Sequence, residues 1–450
     1  MPEPRALAVW LLEQESRALL ARLDRIKPFA LQETMVPAAS LLPPAALAID
    51  AYLLDGRRRL RAEIVSLIAW LGGPGRAASP AGQQRRFTVV RLAFNTALAQ
   101  LDLFADAITQ RSEAETGVWL SGLDVAAQDA LRLPGAFYDA PPVVCYLDRG
   151  LGGAIRRART RLPGGGENPA AIIRIPRERM IGFGIASSLV HEVGHQGAAL
   201  LELVASLKAE LKSIEAQAPA PEKVAWRYWA KTISEVVADF WALAKVGVAS
   251  TLGLIGIVSL PRPFVFRINL HDPHPFPWIR VMVSCAIGDR LYPHVQWRQL
   301  AATWEALYPA TGLGAREQQL VGVLRSTMPR FADVLAEHRP AALRGAALGE
   351  VVAEDGRSPD ALVARFERWQ QRPDEIRSAP PTIVFAVFAR ARISGRLDPE
   401  TEERLLGRLI TGWAVNSTFA PADRLVIPAI VPGSGPAAVT HRPARAARIA

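Results

Sequence analysis

The sequence is poor in the residues that build disulfide frameworks and cysteine-based metal sites. Only two cysteines, Cys145 and Cys285, occur among its 450 residues. Two cysteines are too few for a disulfide scaffold, and they match no cysteine-based zinc motif. A reducing compartment is therefore the simpler expectation. Histidine is scarce as well, with seven in the chain, so two neighbouring histidines are informative.

Export signals and long apolar runs are also lacking. The N-terminal stretch MPEPRALAVWLLEQESRALL carries acidic residues inside its apolar run, which is typical of an amphipathic helix and not of a signal peptide. The apolar run at 246–260 is about 15 residues long, short of the roughly 20 that a helix needs to span a bilayer. We expect a buried helix or hairpin there and a cytoplasmic protein. Peripheral membrane association and export by a dedicated machinery are the less favoured alternatives.

The chain is basic, with a net charge of +10, and most of its positive residues are arginines. Arginine clusters at 57–61 and 156–161 could bind phosphate backbones or anionic lipid. Solvated helix faces and loops explain the same clusters more simply. Nucleic acid is therefore not an expected partner, and the oligomeric state is left open.

The pattern of apolar residues predicts a mainly α protein with a small β-sheet, an α+β class. We expect a helical N-terminal region at 1–135, a central region at 136–295, a helical C-terminal region at 296–420 and a disordered tail at 421–450. Short β-type runs at 142–147 and 170–175 predict two strands. One long helix is expected at 177–212 and a second, buried one at 222–245.

The stretch SLVHEVGHQGAAL places His191 and His195 four residues apart on the first of these helices. Residues at this spacing share one face, so both imidazoles can bind a single zinc ion at about 2.0–2.1 Å. Glu192 is rotated by about 100° and lies beside the ion. That position suits a general base that takes a proton from a metal-activated water. The alternative is a helix whose histidines are merely buried and hydrogen-bonded.

A zinc site of this kind needs a third protein ligand. Glu202 follows His195 by seven residues, about 10 Å further along the helix axis and out of reach. Glu235 and Asp239 lie four residues apart in the apolar helix at 222–245, where unpaired carboxylates are costly. We predict Glu235 as the third ligand and Asp239 as the acceptor that fixes the tautomer of a zinc-bound histidine. A capping or salt-bridging acidic pair is the simpler alternative.

These motifs resemble those of the gluzincin metallopeptidases, which combine HExxH with a glutamate and an aspartate on a later helix. The form Glu-Val-Val-Ala-Asp, followed by His274-Pro275 and Arg280, is closest to the CAAX prenyl proteases and stress-induced membrane peptidases. The resemblance covers residues 191–280 and implies that His191, His195 and Glu235 bind zinc and that Glu192 is the base. The several membrane-spanning helices of that family are not visible in this sequence.

The resemblance also suggests where a substrate would lie. Zincin catalytic domains place a strand beside the site whose edge pairs with an extended peptide, and Ala170, Ala171, Ile172 and Ile173 occur at about the expected place. An internal strand is the equal alternative. A further donor is needed for the developing oxyanion, and the candidates in falling order are His274, Arg280, His271 and Tyr228. His274 and Arg280 could instead only brace their loop.

We therefore expect a zincin-like core that hydrolyses peptide bonds of a peptide or protein substrate with Zn²⁺ as cofactor. A catalytically silent zincin-fold scaffold is one alternative, although Glu192 and all three ligands are present. An arginine-rich helical protein that associates with membrane or nucleic acid is another, and it would need no zinc. A zinc-dependent toxin or injected effector is a variant of the peptidase hypothesis.

Overall fold

The computed structural model of the protein describes residues 4–25, 35–148, 152–162, 165–177, 182–269 and 272–419. Helices dominate these ranges and one small sheet lies among them, so the expected mainly α class with a small β-sheet is confirmed. The tail at 421–450 lies outside the described residues. The N-terminal half contains α1 (Pro4–Arg25), α2 (Pro43–Gly72), α3 (Pro80–Ile108), α4 (Ala114–Leu131), β1 (Val143–Asp148), β2 (Ala154–Arg156), β3 (Ala171–Pro176), α5 (Phe183–Leu200) and α6 (Leu203–Gln217).

The C-terminal half is helical throughout its described part, as expected for 296–420. It contains α7 (Ala220–Val246), α8 (Val248–Val258), α9 (Arg262–Val265), α10 (Pro277–Leu291), α11 (Val295–Leu307), α12 (Ala315–Glu337), α13 (Leu348–Val352), α14 (Pro359–Gln371), α15 (Pro381–Ile393) and α16 (Pro399–Phe419). Prolines open many of these helices because a first-turn residue needs no backbone N–H.

The three N-terminal helices pack on one another around their own apolar core. Leu12 and Leu19 of α1, Ile64 of α2, and Phe87 and Phe94 of α3 belong to this cluster. The main core is larger and contains residues of α4, the sheet and nearly every helix from α5 to α16. The four-region division of the chain stays a prediction, and this continuous core is what supports the site.

The sheet has the strand order β1-β3-β2, with β1 parallel and β2 antiparallel to β3. The expected strands at 142–147 and 170–175 are confirmed by β1 and β3. The expectation that Ala170, Ala171, Ile172 and Ile173 form a free edge is wrong, because β3 is the central strand. Ala170 precedes it, and Ile172 and Ile173 face partners on both sides.

The outer edge of β1 is occupied by side chains. The Cys145 N–H donates to Asp124 Oδ1 (2.7 Å) and its carbonyl accepts from Arg111 (2.7 Å). Gln110 makes the same two kinds of bond with Leu147, at 2.9 and 2.7 Å. Arg111 and Asp124 are fully buried and form an ion pair at 3.0 Å. Within the described sheet, β2 pairs with a strand on one side only.

The single helix expected at 177–212 is two helices. α5 ends at Leu200 and α6 begins at Leu203, because Glu202 takes a left-handed conformation with φ 54°. Residues 178–181 lie outside the described part. The second expected helix is confirmed by α7, which begins after Pro219 and ends before Gly247.

The apolar run at 246–260 forms α8, which packs on α5, α7 and α10. Val248, Ala249, Leu254 and Val258 are buried, so the buried-helix expectation is confirmed. None of the helices in the described ranges combines the length and the hydropathy needed to cross a bilayer.

Candidate metal site and cleft

Two glycines bring α5 against α7 at the point where the motif histidines lie. A Cβ added to Gly194 would lie 2.8 Å from the carbonyl oxygen of Ala238, and one added to Gly197 would lie 2.6 Å from the ring of Trp241. Any larger residue would separate the helices. Gly194, the glycine of the HEVGH motif, thus allows the short distance between α5, which carries the histidines, and α7, which carries Glu235.

His191 and His195 meet Glu235 across this close contact. His191 Nε2 lies 3.4 Å from Glu235 Oε2, and His195 Nε2 lies 3.7 Å from Glu235 Oε1. One ligand atom from each of the three residues falls within 4.8 Å of the others. The three side chains form a group that could hold a metal ion.

Two imidazoles and a carboxylate are a donor set that zinc accepts. The 3.4 and 3.7 Å separations run to the two different oxygens of Glu235, and the three ligand atoms lie within 4.8 Å of one another. Glu235 Oε2 is buried and faces the ring nitrogens of His191 at 3.4 Å and His274 at 3.1 Å, so it lies where imidazole donors or a cation can stabilise it. Two imidazoles and one carboxylate would leave a fourth coordination position for water or substrate.

Asp239 and Arg280 fix the orientation of His191 through the ring nitrogen that faces away from Glu235. Asp239 Oδ1 lies 2.8 Å from His191 Nδ1, which leaves Nε2 free to face the cleft. Arg280 donates to both oxygens of Asp239, from Nε at 2.7 Å and from its terminal nitrogen at 2.9 Å. With its donors engaged in this way, Arg280 is a positioning residue and a poor candidate for the oxyanion donor.

Charge and burial act differently on the pKa values of the two histidines. Burial lowers the pKa of His191, but the charge of Asp239 and its hydrogen bond outweigh burial and raise that pKa to about 9. Burial and the neighbouring His191 charge lower the pKa of His195 to about 4. For Glu235, burial raises the pKa, yet hydrogen bonds with His191 and His274 outweigh it and hold the pKa well below its ordinary value.

Glu192 lies beside the three ligands and shares a cavity with them. Its carboxylate is buried, and burial raises its pKa above the ordinary value, with the His191 charge opposing. A Cβ on Gly153 would lie 2.6 Å from Glu192 Oε1 and 3.1 Å from its Cγ. The missing side chain of Gly153 therefore makes room for this carboxylate. A carboxylate whose pKa is moved towards neutrality suits proton transfer.

His274 lies at the mouth of the site in the segment before α10. Its Nε2 is 3.1 Å from Glu235 Oε2, and Asp272 Oδ1 accepts from its backbone N–H at 2.9 Å and lies 2.7 Å from its Nδ1. The hydrogen bond with Glu235 raises the pKa of His274. Tyr228 instead accepts the backbone N–H of Phe276 at 2.9 Å, so it braces this segment. His271 lies outside the described residues.

The cleft divides into two pockets that meet at the site. Gly153, His191, Glu192 and His274 line both. The His191-side pocket, about 200 Å³, is bounded by Ser187, Ser188, Ser250, Leu254, Ile257 and Arg280. The His195-side pocket, about 350 Å³, follows β2 and is bounded by Ala154, Ile155, Arg157, His195 and Ser234.

Several of these residues carry no motif in the sequence. β2 has only three residues, and the Gly152-Gly153 pair before it was the one local sign of a close backbone approach. Arg157 is visible in the sequence only as part of an arginine cluster that also fits a solvated loop. Ser187 and Ser250 reach the cleft through the packing of α5 on α8, which no short-range pattern predicts.

Comparison of the chain with models of protein families, with curated proteins and with solved structures finds no match. The geometry of the site and the chemistry of its residues therefore carry the functional argument.

Proposed function

We propose that this protein is a zinc-dependent peptidase with a zincin-like core. The observation that carries the proposal is the convergence of His191, His195 and Glu235 on one point, with the Glu192 carboxylate in the same cleft. A metal site that serves structure alone is closed by a fourth protein ligand. Here the cleft borders the ligands and carries a buried carboxylate whose pKa is raised.

Zinc held by these three residues would supply a Lewis acid that polarises the substrate carbonyl and lowers the pKa of a water towards about 7. Glu192 would accept a proton from an attacking water as the water oxygen adds to the peptide carbon, and would give it to the leaving amine as the C–N bond breaks. Asp239 keeps the His191 ring in the tautomer with Nε2 towards the cleft, and Arg280 holds Asp239.

His274 is the best placed candidate to stabilise the developing oxyanion. It lines both pockets, and its side chain is half-exposed at the cleft mouth. Its ring nitrogens face Glu235 and Asp272, and zinc held by Glu235 would leave Nε2 to the oxyanion. Arg280 would stay bound to Asp239, and Tyr228 to the Phe276 N–H. A single such donor contributes about 10²–10³ to kcat in acyl-transfer enzymes.

The substrate would pair with β2, not with β3. β2 is the strand next to Glu192, through Gly153, and it forms one wall of the His195-side pocket. Its far side is not covered by a strand in the described sheet. Main-chain hydrogen bonds to such an edge hold an extended peptide with little demand on its side chains.

The proposal is tested by zinc analysis and by global mapping of cleavage products. We expect one zinc per chain by elemental analysis, and little zinc in Glu235→Gln. Labelling of new N-termini in a proteome exposed to the protein would reveal products that are missing with Glu192→Gln at equal zinc content. Glu202→Gln is the matched control, because Glu202 is exposed and does not line the cleft.

Identical product profiles for the wild type and Glu192→Gln would overturn the peptidase function and leave a metal-binding one. Absence of bound zinc in the wild type, together with unchanged folding of Glu235→Gln, would overturn the metal site itself.

A further inference from the structure

The loop after β2 carries exposed arginines on an unusually well-anchored backbone. The Ala158 N–H donates to Gln196 Oε1 at 2.8 Å, and Gln196 is the buried neighbour of His195 in α5. Arg159 N–H donates to the Asn168 carbonyl at 2.9 Å, and the Asn168 amide side chain donates to the carbonyls of 156 and 157. This loop is thus tied directly to the helix that carries the metal ligands.

Arg157 is the arginine of this loop that borders the cleft. It lines the His195-side pocket together with His195 and Ser234. Among the described residues, its guanidinium has no ion-pair or hydrogen-bond partner, whereas Arg280 is bound to Asp239. A guanidinium held over a cleft without a carboxylate is a ready site for one from a ligand.

The charges of the cleft leave Arg157 uncompensated. Glu192, Glu235 and Asp239 carry three negative charges at its floor, and Arg280 with a divalent cation would carry three positive ones. Asp272 at the rim pairs with His274. An acidic group on a substrate would therefore meet the positive charge of Arg157, and the carboxylates that line that pocket are Glu192 and Glu235, the proposed base and metal ligand.

Resting on the proposed peptidase function, we propose that Arg157 selects substrates with an aspartate or glutamate near the cleaved bond. Gly153 lies beside Glu192 just before β2, and Arg157 lies four positions later, just after β2, which is about 13 Å in extended chain. The arginine side chain can extend over part of this distance towards the site. We therefore expect the acidic residue of the substrate two to four positions from the cleaved bond. A substrate strand antiparallel to β2 would place it on the N-terminal side.

A neighbouring groove of about 810 Å³ provides a matched control. Arg156 and Arg157 both line it, with Asp102, Asp106 and Arg174, and of these two arginines only Arg157 also lines the His195-side pocket. Arg156→Ala removes the same charge from the adjacent position, the last residue of β2. A non-specific effect of net charge would appear in both variants, and a specific subsite only in Arg157→Ala.

The test is cleavage of a synthetic peptide mixture by zinc-loaded full-length protein, with products identified by mass spectrometry. We expect acidic residues to be enriched at one position on one side of the cleaved bond. The kcat/KM for a matched Glu peptide over its Gln analogue should fall about fivefold to tenfold in Arg157→Ala, recover in part in Arg157→Lys and reverse towards Lys peptides in Arg157→Glu.

Cleavage without acidic enrichment, or enrichment that survives in Arg157→Ala, would overturn the inference while leaving the peptidase function in place. Equal losses in Arg156→Ala and Arg157→Ala would also overturn it. Failure to cleave any peptide, with zinc bound, would overturn the peptidase function and the inference with it.

Discussion

Replacing Gly153 by alanine should disable the proposed base without touching the metal ligands. The added Cβ would lie 2.6 Å from Glu192 Oε1 and 3.2 Å from its carboxyl carbon, well inside normal contact. Both atoms belong to the end of a side chain, so Glu192 can rotate away and the backbone need not move. Gly153 is half-buried and lies just before β2. We therefore expect the fold to be kept and the carboxylate to be displaced.

The magnitude follows from the displacement. To restore an ordinary contact of about 3.4 Å, Glu192 Oε1 must move by roughly 1 Å, and a misplacement of that size costs about 10²-fold in rate. Loss of a general base costs about 10²–10⁴-fold. Gly153→Ala should therefore lower kcat about 100-fold, and adding Glu192→Gln should lower it further only to the level of Glu192→Gln alone.

The assay is kcat on a cleaved peptide, with zinc content and urea unfolding measured on the same samples. Gly256→Ala is the matched control, since a Cβ there meets nothing within 4 Å and alanine favours a helix by about 1 kcal/mol. Full activity of Gly153→Ala, or full additivity of its loss with that of Glu192→Gln, would refute the role assigned to Glu192. Loss of zinc in Gly153→Ala would refute the stated mechanism of the effect.

Three further predictions concern packing, the buried ion pair and pH. Gly194→Ala should push α5 away from α7, because the new Cβ would lie 2.8 Å from the Ala238 backbone oxygen. Zinc affinity, measured with a competing chelator, should then fall about 10–100-fold. Arg111→Ala leaves Asp124 buried without its partner and should lower the free energy of urea unfolding by about 3–5 kcal/mol. Because the pKa of His191 is about 9 before metal binds, zinc should displace one proton at pH 7, and zinc affinity should rise about tenfold per pH unit up to pH 9.

Each of these has a result that contradicts it. Unchanged zinc affinity in Gly194→Ala would mean that the helices tolerate separation. A stability loss below about 1 kcal/mol in Arg111→Ala would mean that water reaches Asp124. Calorimetry in buffers of different ionisation enthalpy reports proton release directly, and a value near zero at pH 7 would mean that His191 is already neutral in the metal-free protein.

The parts of the site that the sequence could predict are those encoded within one helix. His191 and His195 share a face because helical geometry is fixed at four-residue spacing. Glu235 and Asp239 could be selected because acidic residues are costly in an apolar helix unless they have partners. In the structure His191, His195 and Glu235 converge on one point, and Asp239 contacts the opposite side of the His191 ring.

The parts that could not be predicted depend on contacts distant in sequence. β2 is three residues long and owes its conformation to pairing with β3, so no local pattern distinguishes it from a loop. The break between α5 and α6 falls at Leu201 and Glu202, without a glycine or proline to mark it. Arg280 was expected either to stabilise an oxyanion or to brace a loop. In the structure it donates two hydrogen bonds to Asp239 instead, a contact between residues 41 positions apart that no local pattern predicts.

Side chains, and not another strand, cover the outer edge of β1. Uncovered edges are templates on which neighbouring copies of a protein can stack into aggregates. Because Arg111, Asp124 and Gln110 bind the main chain at the outer edge of β1, pairing of a second molecule with the described sheet is limited to β2. A neighbour that docked there would enter the cleft in which we propose that extended chains are cut, so under that proposal self-association at this edge would compete with turnover and expose the docked segment to cleavage.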